Sequence, residues 1–150
     1  MDRYLRQHAQ SFRDAVDDAT AAYILETRRG FEDFKQVAAQ LAGLLVLNAA
    51  GSQSAGPHHP VLTSAIELYE NAVAAVRQAR VPRAAREHHE DLLQAAAALG
   101  QAIAAARSGL AIDPVLIPLR AAYGHLQLAS RALPGFPMVV FELGCCARTR

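Results

Sequence analysis

The stretch AREHHEDLLQAAAALGQAIAAA, residues 85–106, decides the fold class of this chain. Its spacing alternates steps of four and three residues along one series of positions: Ala85, His89, Leu92, Ala96, Leu99, Ile103 and Ala106. Positions three and four apart share one face of an α-helix, so the spacing predicts a long helix with one continuous buried face. His89 falls on that face. We therefore predict that it is buried and bonds a carboxylate of a neighbouring helix.

The same spacing recurs on both sides of this stretch, in residues 5–23, 31–45, 62–76 and 116–133. Whether the first two segments form one helix depends on Gly30. Arg28 and Arg29 precede this glycine, and Glu32 and Asp33 follow it. Basic residues are typical of a helix end and acidic residues of a helix start, which favours a break or kink at Gly30. One continuous helix through Gly30 is the alternative.

Turn and cap residues separate the segments. Residues 49–59 read AAGSQSAGPHH, which is typical of a loop, and the remaining boundaries are marked by Pro60, Pro82, Gly109, Asp113-Pro114 and Pro134-Gly135. Short connections between amphipathic helices of similar length favour an antiparallel arrangement. The sequence thus predicts one all-α domain over residues 1–150, an up-and-down antiparallel bundle of four to five helices within residues 1–133, followed by a docked tail over residues 134–150.

The C-terminal tail, GFPMVVFELGCCARTR, is apolar and is not patterned as a helix. Six large apolar residues crowd into eight positions: Phe136, Met138, Val139, Val140, Phe141 and Leu143. Val-Val-Phe favours an extended chain. Burying each such side chain is worth about 1.5 to 3 kcal/mol, which argues against leaving them in water. Two interpretations stay open, because the tail can lie back along the bundle or dock on another copy or a different partner.

The tail also carries the adjacent Cys145 and Cys146. Adjacent cysteines are a poor pair for a structural disulfide, which favours a reducing, cytoplasmic location. In the predicted topology the last helix ends near the start of the helix that holds His88 and His89, so the tail begins at the same end of the bundle. Cysteine and histidine together suit a soft metal or thiol-redox site. The alternative is a pair of thiols on a docked tail with no further role.

A second candidate site is a run of arginines around the turn at Val81-Pro82. Its members are Arg77, Arg80, Arg83 and Arg86. An arginine guanidinium binds phosphate or carboxylate through two parallel hydrogen bonds, so the run is a candidate anion-binding site. The alternative is a solvated face, balanced by the acidic residues at positions 87, 90 and 91.

Composition excludes several functional classes. The chain is 52% hydrophobic and 19% charged, with a formal net charge of +1, so neither a nucleic acid nor a membrane surface is expected as a partner. The start has no apolar segment of a signal peptide, and the longest apolar run, residues 37–50, is too short to span a bilayer. No phosphate loop, nucleophile elbow or HExxH motif occurs, so the sequence predicts no cofactor and no class of enzyme.

Three functional hypotheses remain. The first is a non-enzymatic bundle that self-associates, as a homodimer, or binds a protein partner. The second is a small-molecule, metal or thiol-redox binding protein built on Cys145, Cys146, His88 and His89. The third is an enzyme that uses His89 and Tyr123 in a pocket between helices.

Overall fold

A computed structural model of the chain describes residues 17–52 and 56–138. These residues form four α-helices and no β-strand, which confirms the predicted all-α bundle. The helices are α1 (Asp18–Ala49), α2 (Pro60–Gln78), α3 (Arg86–Gly109) and α4 (Ile112–Ala132). A single turn of 3₁₀-helix, Arg83–Ala85, leads into α3. The part of the predicted first helix that precedes Asp17 lies outside the described residues.

The four helices pack as two hairpins around one core. The most extensive contacts join α3 with α4 and α1 with α2, and α1 also packs against α3 and α4. The amide of Asn48 on α1 donates a hydrogen bond to the backbone oxygen of Leu110 over 2.6 Å, so the end of α1 lies beside the turn between α3 and α4. The largest side chains with less than 2% exposure are Tyr23, Phe31, Phe34, Leu41, Leu44, Leu62, Leu92, Leu99, Leu126, His88, Val37 and Val76.

Helix α1 passes through Gly30 without a break, so the predicted interruption there is wrong. Gly30 is buried, and a Cβ atom on it would lie 3.0 Å from Val76 Cγ2 of α2. The glycine therefore permits close approach of two helices. The flanking charges pair along α1 instead of marking helix ends, since Arg29 Nε lies 4.0 Å from the Asp33 carboxylate.

This interpretation of Gly30 predicts opposite outcomes for two glycines of the same helix. Gly30→Val should lower the free energy of unfolding by about 1 to 3 kcal/mol, because the new side chain overpacks the contact with Val76. Gly43 is exposed, with no atom within 4 Å of a Cβ placed there, so Gly43→Val should be neutral or slightly stabilising. Urea unfolding of both variants checks this. Equal stabilities would mean that the helices do not need the glycine to approach.

The helix boundaries follow the predicted signals except at α4. His59 caps α2 and Pro60 is its first residue, while α3 ends at Gly109, whose φ is +132°. Helix α4 begins one residue before the predicted cap Asp113, after Ala111, which provides no side-chain cap. Pro114 still falls in the first turn, where a missing N–H costs no hydrogen bond. Across residues 17–52 and 56–138, no helical stretch combines the length and hydropathy needed to cross a bilayer.

Candidate functional site

A buried polar cluster joins the beginning of α1 to the beginning of α3. The Tyr23 hydroxyl lies 2.9 Å from His88 Nδ1 and 3.2 Å from His89 Nδ1. His88 is fully buried, whereas His89 is only partly buried. The prediction that His89 is the buried histidine was therefore wrong by one residue. The hydrogen-bond partner of His89 is the Tyr23 hydroxyl and not the expected carboxylate of a neighbouring helix.

The first residues after α4 pack against this cluster. Phe136 is buried, and its ring centroid lies 4.0 Å from that of His88 and 5.3 Å from that of Phe31. Lys35 Nζ donates a hydrogen bond to the Pro137 backbone oxygen over 2.8 Å, and this bond links the start of the tail to α1. These contacts confirm the prediction that the tail begins at the same end as the two histidines. They also place the start of the tail, as far as Met138, back against the bundle.

Burial keeps the three side chains of the cluster neutral near pH 7. Desolvation, together with the smaller effect of the neighbouring His89, lowers the pKa of His88 to about 4. Partial burial also lowers the pKa of His89, while burial raises the pKa of the Tyr23 hydroxyl well above its ordinary value. The cluster is thus a neutral hydrogen-bonded group and not a charged site.

The proton count of the cluster restricts its tautomers. One hydroxyl hydrogen can be donated to only one imidazole, so Tyr23 must accept a hydrogen bond from the other. His88 Nε2 is buried without a partner. A buried N–H donor without a partner costs more than an idle lone pair, which favours a hydrogen on His88 Nδ1 that is donated to Tyr23. Tyr23 then donates to His89 Nδ1, and His89 carries its own hydrogen on Nε2.

The four arginines of the predicted anion site are all exposed and do not form one site. Arg77 lines a shallow hollow of about 360 Å³ between α2 and α3, together with His89 and Tyr69. Arg80 lines a separate cleft of about 810 Å³ beside Tyr23. Arg83 and Arg86 line neither of these. The structure therefore unites one predicted anion-binding residue with one predicted ligand-binding histidine.

An apolar groove of about 520 Å³ lies between α1 and α4. Its walls are Lys35, Ala38, Ala39, Ala42, Leu116, Leu119, Arg120, Tyr123 and Met138. Tyr123 thus lines a different hollow from His89, so the arrangement required by the enzyme hypothesis is not formed. The apolar spacing points only weakly to this groove, because Leu116 and Tyr123 belong to the predicted stripe of the last helix.

The predicted cysteine and histidine site falls only in part within the described residues. His88 and His89 are placed, but Cys145 and Cys146 lie outside, as do Val139, Val140, Phe141 and Leu143 of the predicted interaction tail. Within the part of the chain that the structure describes, no three side chains from histidine, cysteine, aspartate and glutamate gather closely enough to hold a metal ion.

Comparison of the chain with protein families, with curated proteins and with solved structures finds no match in any of the three.

Proposed function

We propose that this chain is a cytoplasmic, non-enzymatic helical-bundle protein that acts as a homodimer. The interface is the α4 face, which we define as Ile112, Asp113, Leu116, Ile117, Arg120 and Tyr123 together with the groove beside it. The observation that supports this surface is its exposed apolar content, since Ile117 is 68%, Ile112 45% and Tyr123 38% exposed. Contiguous exposed apolar residues are typical of interaction sites.

The charges on the α4 face favour a second copy of this chain as the occupant. Asp113 and Arg120 are both exposed and stand seven residues apart, about two helical turns or roughly 10 Å, on one side of α4. A two-fold axis that passes near Leu116 and Ile117 would bring Asp113 of each copy against Arg120 of the other. Such an interface is self-complementary, as two-fold dimers require, and it buries the apolar side chains at its centre.

Charge reversal tests this arrangement by analytical ultracentrifugation over a range of concentrations. Asp113→Arg or Arg120→Asp alone sets like charges against each other twice in the dimer, and should weaken association on the order of tenfold. The double variant Asp113→Arg/Arg120→Asp restores both pairs and should recover the affinity. Within one copy the two residues are too far apart to form a contact, so recovery cannot arise inside a single helix.

Glu67→Arg provides the matched control, because it reverses an exposed charge on α2, away from the α4 face. It should leave the association unchanged. A wild-type chain that stays monomeric at every concentration would contradict the proposal. A double variant that associates no better than either single variant would reject the two-fold arrangement.

A further inference from the structure

The hollow between α2 and α3 presents hydrogen-bond donors above an apolar floor. We define the hollow by its walls: Tyr69, Arg77, His89, Leu93, Ala96 and Ala97. Leu93 is 37% exposed, so the floor is open to a ligand. At about 360 Å³ the hollow is at the small end of ligand-binding cavities, which suits a compact molecule.

The Tyr23 cluster orients the histidine of this hollow. His89 Nδ1 faces the Tyr23 hydroxyl, at 3.2 Å, so the opposite edge of the ring carries Nε2. The proton count places the hydrogen of His89 on that Nε2. His89 therefore lines the hollow as a hydrogen-bond donor that stays neutral, because partial burial lowers its pKa.

Tyr69, on the opposite wall of the hollow, is held by contacts with α3. The Tyr69 hydroxyl donates a hydrogen bond to the Ala96 backbone oxygen over 2.9 Å. A Cβ atom on Gly100 would lie 2.6 Å from the Tyr69 hydroxyl oxygen, so the glycine leaves the space in which Tyr69 is held. The positive charge of Arg77 acts on the Tyr69 hydroxyl and lowers its pKa. Burial has the larger effect and raises the pKa of Tyr69 overall.

We propose that this hollow is a binding site for a small carboxylic acid. One carboxylate oxygen accepts a hydrogen bond from the Arg77 guanidinium and the other accepts one from His89 Nε2–H. The apolar body of the acid covers Leu93, Ala96 and Ala97. Two donors match the two oxygens of a carboxylate, and the apolar floor distinguishes such an acid from a free inorganic anion. This site is independent of the proposed dimer, because it lies between α2 and α3 and not on the α4 face.

Benzoate is the probe for this site, with benzamide as its neutral analogue and inorganic phosphate as an anion without an apolar body. NMR titration of the full chain should show benzoate shifting the signals of His89 and Ala96 at millimolar concentrations or below, with benzamide and phosphate each at least tenfold weaker. Arg77→Ala should weaken benzoate at least tenfold. Arg83→Ala, which removes an exposed arginine outside the hollow, should leave it unchanged.

Several outcomes would overturn the assignment. If benzamide bound with the same affinity as benzoate, the charge would have no role. If phosphate bound with the same affinity as benzoate, the apolar floor would have no role. Equal weakening by Arg77→Ala and Arg83→Ala would reduce the effect to the general positive charge of the turn.

The imidazole nitrogens give a second, independent readout. ¹⁵N–¹H correlation spectra at pH 7 should show hydrogen on Nε2 of His89 and on Nδ1 of His88. Tyr23→Phe removes the hydroxyl that links the two rings, so His89 should then populate both tautomers and bind benzoate several-fold more weakly. The reverse pair of tautomers in the wild-type chain would reject the site, because His89 would then present a lone pair to the carboxylate.

Discussion

Phe136→Ala should lower the free energy of unfolding by about 3 to 5 kcal/mol, the range for truncation of a buried phenylalanine. Phe136 follows α4 and is 2% exposed, yet it fills the space between Phe31 and His88 at the end of the bundle. The substitution leaves a cavity beneath the histidine and removes two ring contacts. Because domains of this size are stable by only about 5 to 15 kcal/mol, the loss is a large fraction of the total.

Two substitutions calibrate this measurement by urea unfolding. Leu25→Ala removes a large side chain that is 75% exposed, and should change the stability by no more than about 0.5 kcal/mol. Met138→Ala removes a partly buried side chain at the wall of the groove, and should give an intermediate loss. If Phe136→Ala cost no more than Leu25→Ala, the start of the tail would not be packed on the bundle in solution.

Acidification from pH 7 to pH 4.5 should destabilise the fold by about 2 to 3 kcal/mol through His88 alone. The native state holds His88 neutral, with its pKa lowered from 6.5 to about 4 by burial. The unfolded chain takes up a proton near pH 6.5 that the native state refuses. Stability is therefore complete above about pH 6.5 and falls as the pH drops towards 4, below which the native histidine is protonated as well. At about 1.4 kcal/mol per pKa unit, the full effect is roughly 3 kcal/mol.

His88→Gln isolates this contribution from the other titrating groups. Glutamine does not titrate, so the variant should lose the part of the pH dependence between 6.5 and 4.5 that belongs to His88. Gln101→Ala, which replaces an exposed side chain that does not titrate, should keep the wild-type dependence. Unfolding curves at several pH values check both variants. A His88→Gln profile parallel to the wild type would mean that His88 titrates in the native state as it does in the unfolded chain.

The two predictions are coupled, because the rings of Phe136 and His88 are in contact. Phe136→Ala admits water to the His88 ring, so the desolvation that lowers its pKa should weaken. The Phe136→Ala variant should therefore lose less stability on acidification than the wild type does, although it starts from a lower value. The same series of unfolding curves, measured from pH 7 to pH 4.5, tests this coupling.

The prediction of His89 as the buried histidine, where the structure buries His88, shows how far periodicity can identify a buried residue. Residues 85–106 contain so many alanines that two seams fit equally well. Every member of the seam assigned from the sequence is buried except His89, because the buried face of α3 is broad and also includes His88, Ala95 and Ala102. Only the position of the neighbouring helices decides which of the two adjacent histidines lies inside that face.

Gly30 illustrates the same limit for helix ends. Local signals predicted a boundary, because glycine and the order of flanking charges are features of helix ends. The same glycine also allows two helices to approach closely, and the choice between these roles depends on Val76, which lies far away in the sequence.

The sequence by itself determined the class of fold, the approximate extent of the helices and the end of the bundle at which the tail begins, because helical periodicity and turn residues act over a few neighbouring positions. Tertiary structure alone decided that Tyr23 bridges two histidines, that Phe136 covers His88 and that Arg77 shares a hollow with His89. Each of these pairs residues from different elements of the fold. Their proximity depends on how helices rotate and pack against one another, which no local pattern records.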